Sequence, residues 1–266
     1  MTENNILNIE WQSQEKTPGL IRGDDALMIY GSLEEQARIG LRMVEYEGKP
    51  TMVGSTPFAV ANLDLVAQKY GARTPNLRDL SRDEVMRIAK GKHYIDSRNL
   101  VARTREDSGY PKNNQFLKTI YELAEQKLGN VRQPFMIEGF SFVPNPVDRN
   151  GYGLSLVPTS DFKVVEDERL DGKHSRENFS EVDELGLPKF DRNGNRTWYA
   201  KGWGLSRLYL YNNLYVYSND DDLADSNDNG RVVFLKWVPL GTQIFFRAII
   251  ISFKSIWFFI EFSAIH

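Results

Sequence analysis

The densest set of side chains able to do chemistry lies between Tyr209 and Asn229. There, every residue other than Leu210, Leu214, Val216, Leu223 and Ala224 is Tyr, Asn, Asp or Ser. This alphabet suits contact rather than catalysis: tyrosine supplies a large, rigid, amphipathic surface at low entropy cost, and Asn and Ser supply adaptable hydrogen bonds, as in antibody paratopes. Alternation of Tyr209, Tyr211, Tyr215 and Tyr217 with Leu210, Leu214 and Val216 predicts tyrosines exposed together on one side of a short hairpin whose aliphatic side faces the core. The candidate ligand-binding residues are Trp203, Tyr209, Tyr211, Asn212, Asn213, Tyr215, Tyr217, Asn219, Asp220, Asp221, Asp222, Asp225, Asn227, Asp228 and Asn229. The competing reading is a pair of polar surface turns, but turn chemistry calls for Gly, Pro, Asn and Asp, not Tyr.

Other chemistries find less support. Asp225-Ser226-Asn227-Asp228-Asn229-Gly230 fits the opening of an EF-hand loop, yet the position that should close the site with a bidentate carboxylate is Lys236, so no metal is expected there. His93, His174 and His266 have no zinc-type spacing, and the chain has no cysteine, which excludes disulfides, thiolate metal sites and cysteine nucleophiles. No G-x-S-x-G, Walker A or G-x-G-x-x-G motif occurs, and Gly202-Trp203-Gly204 reads as a tight bend. The chain is expected to be a non-enzyme without a cofactor.

The chain's 266 residues, 41% of them hydrophobic, can bury the core of one large domain to carry this block. With 33 Lys and Arg against 36 Asp and Glu, the net charge of -3 offers no phosphate-neutralising stripe, so nucleic acid is not an expected partner. Met1–Asn8 carries acids and amides where a secretory signal would have basic and apolar regions, so none is expected. The reading is an arm over 1–23, a domain over 24–237 and an apolar tail over 238–266. Between Ile244 and Ile265 that tail carries Arg247, Lys254 and Glu261 at seven-residue spacing, which fits an interfacial helix or a packed core segment better than a membrane span. A membrane-associated structural protein docked through this tail is the alternative reading of the whole chain.

Helices are expected mainly in the first half. Ser32 as N-cap with Glu35 completing a capping box predicts a helix over Ser32–Glu47, with Leu33, Ala37, Ile39, Leu41 and Val44 near helical spacing. A strand over Thr51–Val53 and helices over Phe58–Lys69, Ser81–Ala89 and Asn114–Lys127 follow, with Gly71 and Gly129 as stops. Beyond Gly129, segments such as Phe135–Val143 and Ser155–Val157 read as short strands with long irregular connections. The charge-dense stretch Glu166–Pro188 reads as solvated loop, and the two Asp-Arg-Asn-Gly tetrapeptides as type I or I′ turns.

One further property of the block concerns its codons. Tyr, Asp and Ser are each one adenine replacement away from Asn, so the bias has the footprint of adenine-directed mutagenesis. In this respect the frame Gly204-Leu205-Ser206-Arg207-Leu208, the biased block and Asn229-Gly230-Arg231-Val232-Val233 resemble the variable proteins of diversity-generating retroelements, their archaeal and viral members in particular. The resemblance covers about thirty residues closely; outside them only Ala72-Arg73-Thr74-Pro75-Asn76-Leu77 is loosely similar. It implies an α+β, C-type-lectin-like fold and a variable region over about 201–230 held between fixed strands at Gly204–Leu208 and Gly230–Phe234. It also implies recognition of a protein or glycan receptor on a target cell or particle, with display at a cell surface or on a virion.

Overall fold

In a computed structural model, the residues described are 21–69, 71–105, 109–148, 151–201, 203–219 and 222–236. The chain divides into two compact units, Met1–Leu235 and Lys236–His266. The apolar tail and the arm through Leu20 lie outside the described residues, but Ile21 is buried and its carbonyl accepts from Met52 N at 3.1 Å.

The first unit is mixed α+β around one large sheet. In chain order it runs α1 (Gly23–Ser32), β1 (Arg42–Tyr46), β2 (Lys49–Val53), α2 (Pro57–Gln68), β3 (Ala72–Arg73), α3 (Asp83–Ala89), β4 (Ile95–Ala102) and α4 (Asn114–Leu128). There follow β5 (Phe135–Pro144), β6 (Leu154–Glu166), β7 (Glu177–Val182), β8 (Pro188–Phe190), β9 (Arg196–Lys201), β10 (Leu205–Leu210) and β11 (Val216–Asn219). The eight-stranded sheet has the order β6-β5-β4-β10-β11-β9-β7-β8, antiparallel except where β11 runs parallel to β9. All four α-helices described precede Gly129, in the half where helices are expected, but α1 is not among the helices expected from the sequence.

Three expectations change. No helix spans Ser32–Glu47: Ser32 closes α1, its Oγ donating to Ile29 O at 2.8 Å, and a single 3-10 turn, Glu35–Arg38, leads into β1. Gly40, at φ +81°, breaks the helical path, and the hairpin β1–β2 takes over through the two-residue turn Glu47-Gly48, both at positive φ. Leu33 and Leu41 still reach the core, from opposite ends of the 3-10 turn, so their spacing reports burial and not a helix. Next, the stretch Glu166–Pro188 is not a solvated loop: it contains β7 and buries Leu170, Phe179 and Leu187. Its strand pairs with β9 some twenty residues downstream, a partner that local charge density hides. Finally, the strands are not all short, since β5 and β6 have 10 and 13 residues and absorb their twist at a bulge beside Gly139, φ +78°.

Of the two Asp-Arg-Asn-Gly stretches, Asp191–Gly194 closes with Gly194 N donating to Asp191 O at 2.9 Å, and neither Arg192 nor Asn193 has positive φ, which leaves type I and not I′.

Each face of the sheet has its own cover. Leu100, Ala102, Phe135, Ile137 and Leu205 point to one face, where α2 and α4 bring Phe58, Phe116 and Ile120. Thr56 caps α2 by accepting from Ala59 N at 3.1 Å, with Pro57 at the first helical position, and every residue from Pro57 to Asp64 is buried. Val101, Met136, Trp198, Ala200, Leu208, Leu210 and Val216 point the other way, into α3 and the Leu77–Leu80 turn. A third cluster joins α1, β2 and α2 to Val232 and Phe234. Phe58 is fully buried and rests on Phe116, Phe142 and Tyr152, so Phe58→Ala should cost about 3–5 kcal/mol.

Candidate functional site: a tyrosine ladder and a clamped loop

The helix-covered face continues across β10, β11 and β9, and there it carries tyrosines. Strand register sets Tyr209 opposite Tyr217, and Tyr217 opposite Tyr199. Because side chains alternate along a strand, the three rings form one row. Their centroids are 5.4 Å (Tyr209–Tyr217) and 4.7 Å (Tyr217–Tyr199) apart, with interplanar angles of 14° and 4°. These separations are close to the ~4.8 Å strand spacing, so the rings lie face to face along the direction of the sheet's hydrogen bonds. Tyr215 extends the row from Tyr199 at 5.7 Å, and Tyr211 meets Tyr217 edge-on at 5.5 Å. With ring faces turned on one another, the part left to solvent is ring edges and hydroxyls. Burial raises the Tyr217 hydroxyl above the usual tyrosine range, so it is a neutral donor and acceptor at physiological pH.

The ladder has a closed end and an open end. At the closed end the Arg207 guanidinium lies 4.7 Å over the Tyr209 ring and Tyr94 meets it edge-on at 6.1 Å. Tyr209 is only 8% exposed there, which corrects its place among the exposed contact residues: it is the foundation of the row. Tyr199, Tyr215 and Tyr217 are half-buried, and Tyr211 is exposed. The turn joining β10 to β11 is held from beneath. Tyr211 N donates to Tyr215 O, Gly91 N donates to Asn212 O, and Asn213 Oδ1 accepts from Tyr215 N at 3.0 Å. Leu214 sits at φ +66°, a conformation costly for a leucine, and its carbonyl accepts from Arg196 Nε at 3.1 Å. Arg196 is buried against Phe179, donates also to Ser81 Oγ and Leu80 O, and is pushed down to about 10 by that burial.

The Asp/Asn/Ser part of the block is built otherwise. Its polar side chains bond the main chain. Asp222 Oδ1 accepts from Ala224 N at 2.9 Å and lies 2.7 Å from the Tyr152 hydroxyl, while Leu223 between them is fully buried. Ser226 Oγ accepts from Ser55 N at 3.0 Å, donates to Gly40 O at 2.7 Å, and lies 3.3 Å from the Tyr94 hydroxyl. Asn227 Oδ1 accepts from Asn229 N, and Asn229 O accepts from Tyr94 N. Asp225 O takes a hydrogen bond from Arg207, and Asp228 pairs with Arg42 at 2.9 Å. The fit is tight enough that a Cβ on Gly230 would stand 2.5 Å from Ser55 N.

Of the expected site residues, Tyr211, Asn212, Asn213, Tyr215 and Tyr217 come together on the ladder and its turn, and Asn219 ends β11. Asp225, Asn227, Asp228 and Asn229 are exposed on the clamped loop, with Asp222 partly so. Trp203 is 54% exposed but precedes β10, at the far end from Tyr211, and makes none of the ring contacts. Asp220 and Asp221 lie outside the described residues. The expected fixed strand at Gly230–Phe234 is instead a buried run without regular structure, tied in at its start by an isolated bridge from Gly230 to Tyr94 and by the hydrogen bond from Gly54 N to Gly230 O. Sequence reasoning missed Tyr199, the ring between Tyr215 and Tyr217, because it precedes the biased block; its signal is its alternation with Trp198 and Ala200. Among the described residues no three His, Asp or Glu side chains converge as a metal set, and no helix is long and apolar enough to cross a membrane. Comparison with family models, characterised proteins and solved structures yields no match.

Proposed function

We propose that this chain is a ligand-binding protein and not an enzyme, and that it meets a protein or glycan receptor with the open end of the tyrosine ladder. The observation that carries this reading is the row Tyr209–Tyr217–Tyr199–Tyr215, with Tyr211 beside it, on the stretch of sheet face beyond the part that α2 and α4 cover. Rings fixed by stacking, on a turn clamped by Arg196, lose little conformational entropy on binding, which favours affinity through preorganisation. We propose further that the scaffold is C-type-lectin-like and that the block is rewritten at adenine positions. Under that reading the positions able to vary without loss of the fold are Tyr211, Tyr215 and Asn219, whereas Tyr209, Asn213, Tyr217, Leu223 and Ser226 are constrained by what they touch.

The test has two arms. Labelled protein and a Tyr211→Ala/Tyr215→Ala variant are applied to glycan arrays and to a displayed library of surface-protein domains. Binding by the parent that drops at least tenfold in the folded variant supports the contact surface, and equal binding by the two refutes it. In the gene, mismatches to a neighbouring template repeat should fall on adenines at the three positions named; mismatches concentrated in the codons for Leu223 or Ser226 would refute the division between variable and constrained residues.

A further inference from the structure

Apart from the ladder, three residues that each bury a nitrogen without a partner lie on stretches of chain that meet one another. Arg22 bridges Thr51, Gly54 N donates to Gly230 O at 2.9 Å, and Arg231 N donates to Tyr94 O at 2.9 Å, next to His93. Arg22 Nε, His93 Nδ1 and Arg231 Nε are all buried, and none has a hydrogen-bond partner among the described residues. Arg231 is 5% exposed, and its Nη1 donates only to the carbonyls of Asp228 and Gly230, at 2.5 and 2.6 Å. Among the described residues no carboxylate forms an ion pair with it.

The surrounding charge leaves this cluster positive. Arg22 pairs with Glu47 at 3.1 Å, but the Glu47 side chain is 66% exposed, so the pair is weak in water and easily exchanged. Asp228, 70% exposed, pairs with Arg42 and also attracts Arg231, Lys92 adds a cation beside His93, and Asp24 and Asp25 are the acids of the helix turn that follows Arg22. The neutral rings are Tyr46, 4.9 Å beneath the Arg22 guanidinium, and Tyr94. The mutual repulsion registers in the side chains themselves. Arg231 is held below the usual arginine range by burial and then by Arg22, against the pull of Tyr46 and Asp228, and His93 is depressed to about 4 by burial and then by Arg231, against the pull of the Asn229 backbone.

Buried donors without acceptors are rare in folded proteins, and buried cations are ordinarily paired. The geometry points to a binding site for a small oxyanion, of the phosphate or sulfate type, held between the Arg22 and Arg231 guanidinium groups with His93 beside it. Guanidinium forks match the geometry of such an anion, and entry is by way of Arg22, which keeps 24% of its side chain exposed while Glu47 swings aside. The oxyanion is either a free ion or a group borne on a larger ligand. The site is independent of the tyrosine ladder, so its failure leaves the contact-surface reading intact.

Thermal unfolding of the full chain, with phosphate, sulfate or methyl phosphate replacing chloride at constant ionic strength, tests this. A saturable rise in the midpoint of about 2–4 °C at tenfold excess over Kd is expected for phosphate and sulfate. His93, followed by NMR, should titrate above its depressed value when the anion is bound. A matching response to methyl phosphate shows that the site admits a borne group, and its absence limits the site to the free ion. Arg22→Gln, folded in chloride, should lose the anion response. A parent midpoint indifferent to anion identity, with His93 unmoved up to about 50 mM phosphate, overturns the proposal without recourse to any variant.

Discussion

Tyr209–Tyr217 and Asp222–Gly230 are written in one alphabet and built on opposite principles. In the first, side chains contact mainly one another and the solvent, and apart from Asn213, whose Oδ1 accepts from Tyr215 N, the backbone is secured by residues from elsewhere: Gly91, and Arg196 acting on Leu214. In the second, side chains such as Asp222, Ser226 and Asn227 bond backbone amides, and the space around Gly40, Gly54 and Gly230 leaves no room for a Cβ. A surface can change its chemistry only where its side chains are not also its fasteners. The ladder's open end meets that condition, and the clamped loop does not.

The comparison breaks most visibly at Gly230. Gly230→Ala drives a Cβ into the Ser55 amide and should cost roughly 3–4 kcal/mol, measured by urea unfolding; a loss under about 1 kcal/mol would mean the loop is not clamped. Ser226→Ala strands Ser55 N and Gly40 O and should cost about 2–3 kcal/mol by the same measurement. On the ladder, Tyr217→Ala removes the ring stacked between Tyr209 and Tyr199 and should cost about 1–2 kcal/mol, while Tyr217→Phe keeps the stack and should cost under about 0.5 kcal/mol. If the two substitutions prove equal, stacking is not what fixes the rings.

A pH series sharpens the same contrast, because His93 lies against the clamped loop and no histidine is part of the ladder. The folded state depresses His93 to about 4, so between that value and the ordinary histidine range the unfolded chain binds the extra proton. Its contribution is therefore full above pH ~6.5 and is lost as pH falls toward about 4. With the ring half-exposed, the loss should be on the order of 1 kcal/mol; it should disappear in His93→Gln and persist in Tyr217→Phe. Smallest of all, Tyr215→Ser, at the open end of the row, should change stability by less than about 0.5 kcal/mol. A larger loss would make Tyr215 a fastener too and erase the distinction.

The sequence's legibility followed the range of the forces involved. The helices α2, α3 and α4 are written locally, in Thr56-Pro57, in apolar spacing and in the stops at Gly71 and Gly129. The Ser32–Glu47 helix does not form because Gly40, at φ +81°, outweighs the capping box and the helical spacing. The Glu166–Pro188 expectation failed because β7 exists only through its pairing with β9. Within the block, alternation placed Tyr209, Tyr217 and their neighbours on one face, yet nothing local marks Tyr209 as buried or brings Tyr199 into the row. Both depend on Arg207, Tyr94 and the parallel register of β11 on β9.

By itself, then, the sequence determined a chain with one substantial core, no thiol chemistry and a concentrated contact alphabet, since composition and short-range periodicity act wherever the chain lies. Only the tertiary structure decided which members of that alphabet face solvent and which fasten the loop. Strand register and the close approach of Gly54 to Gly230 join residues more than a hundred positions apart, and no local rule carries that information.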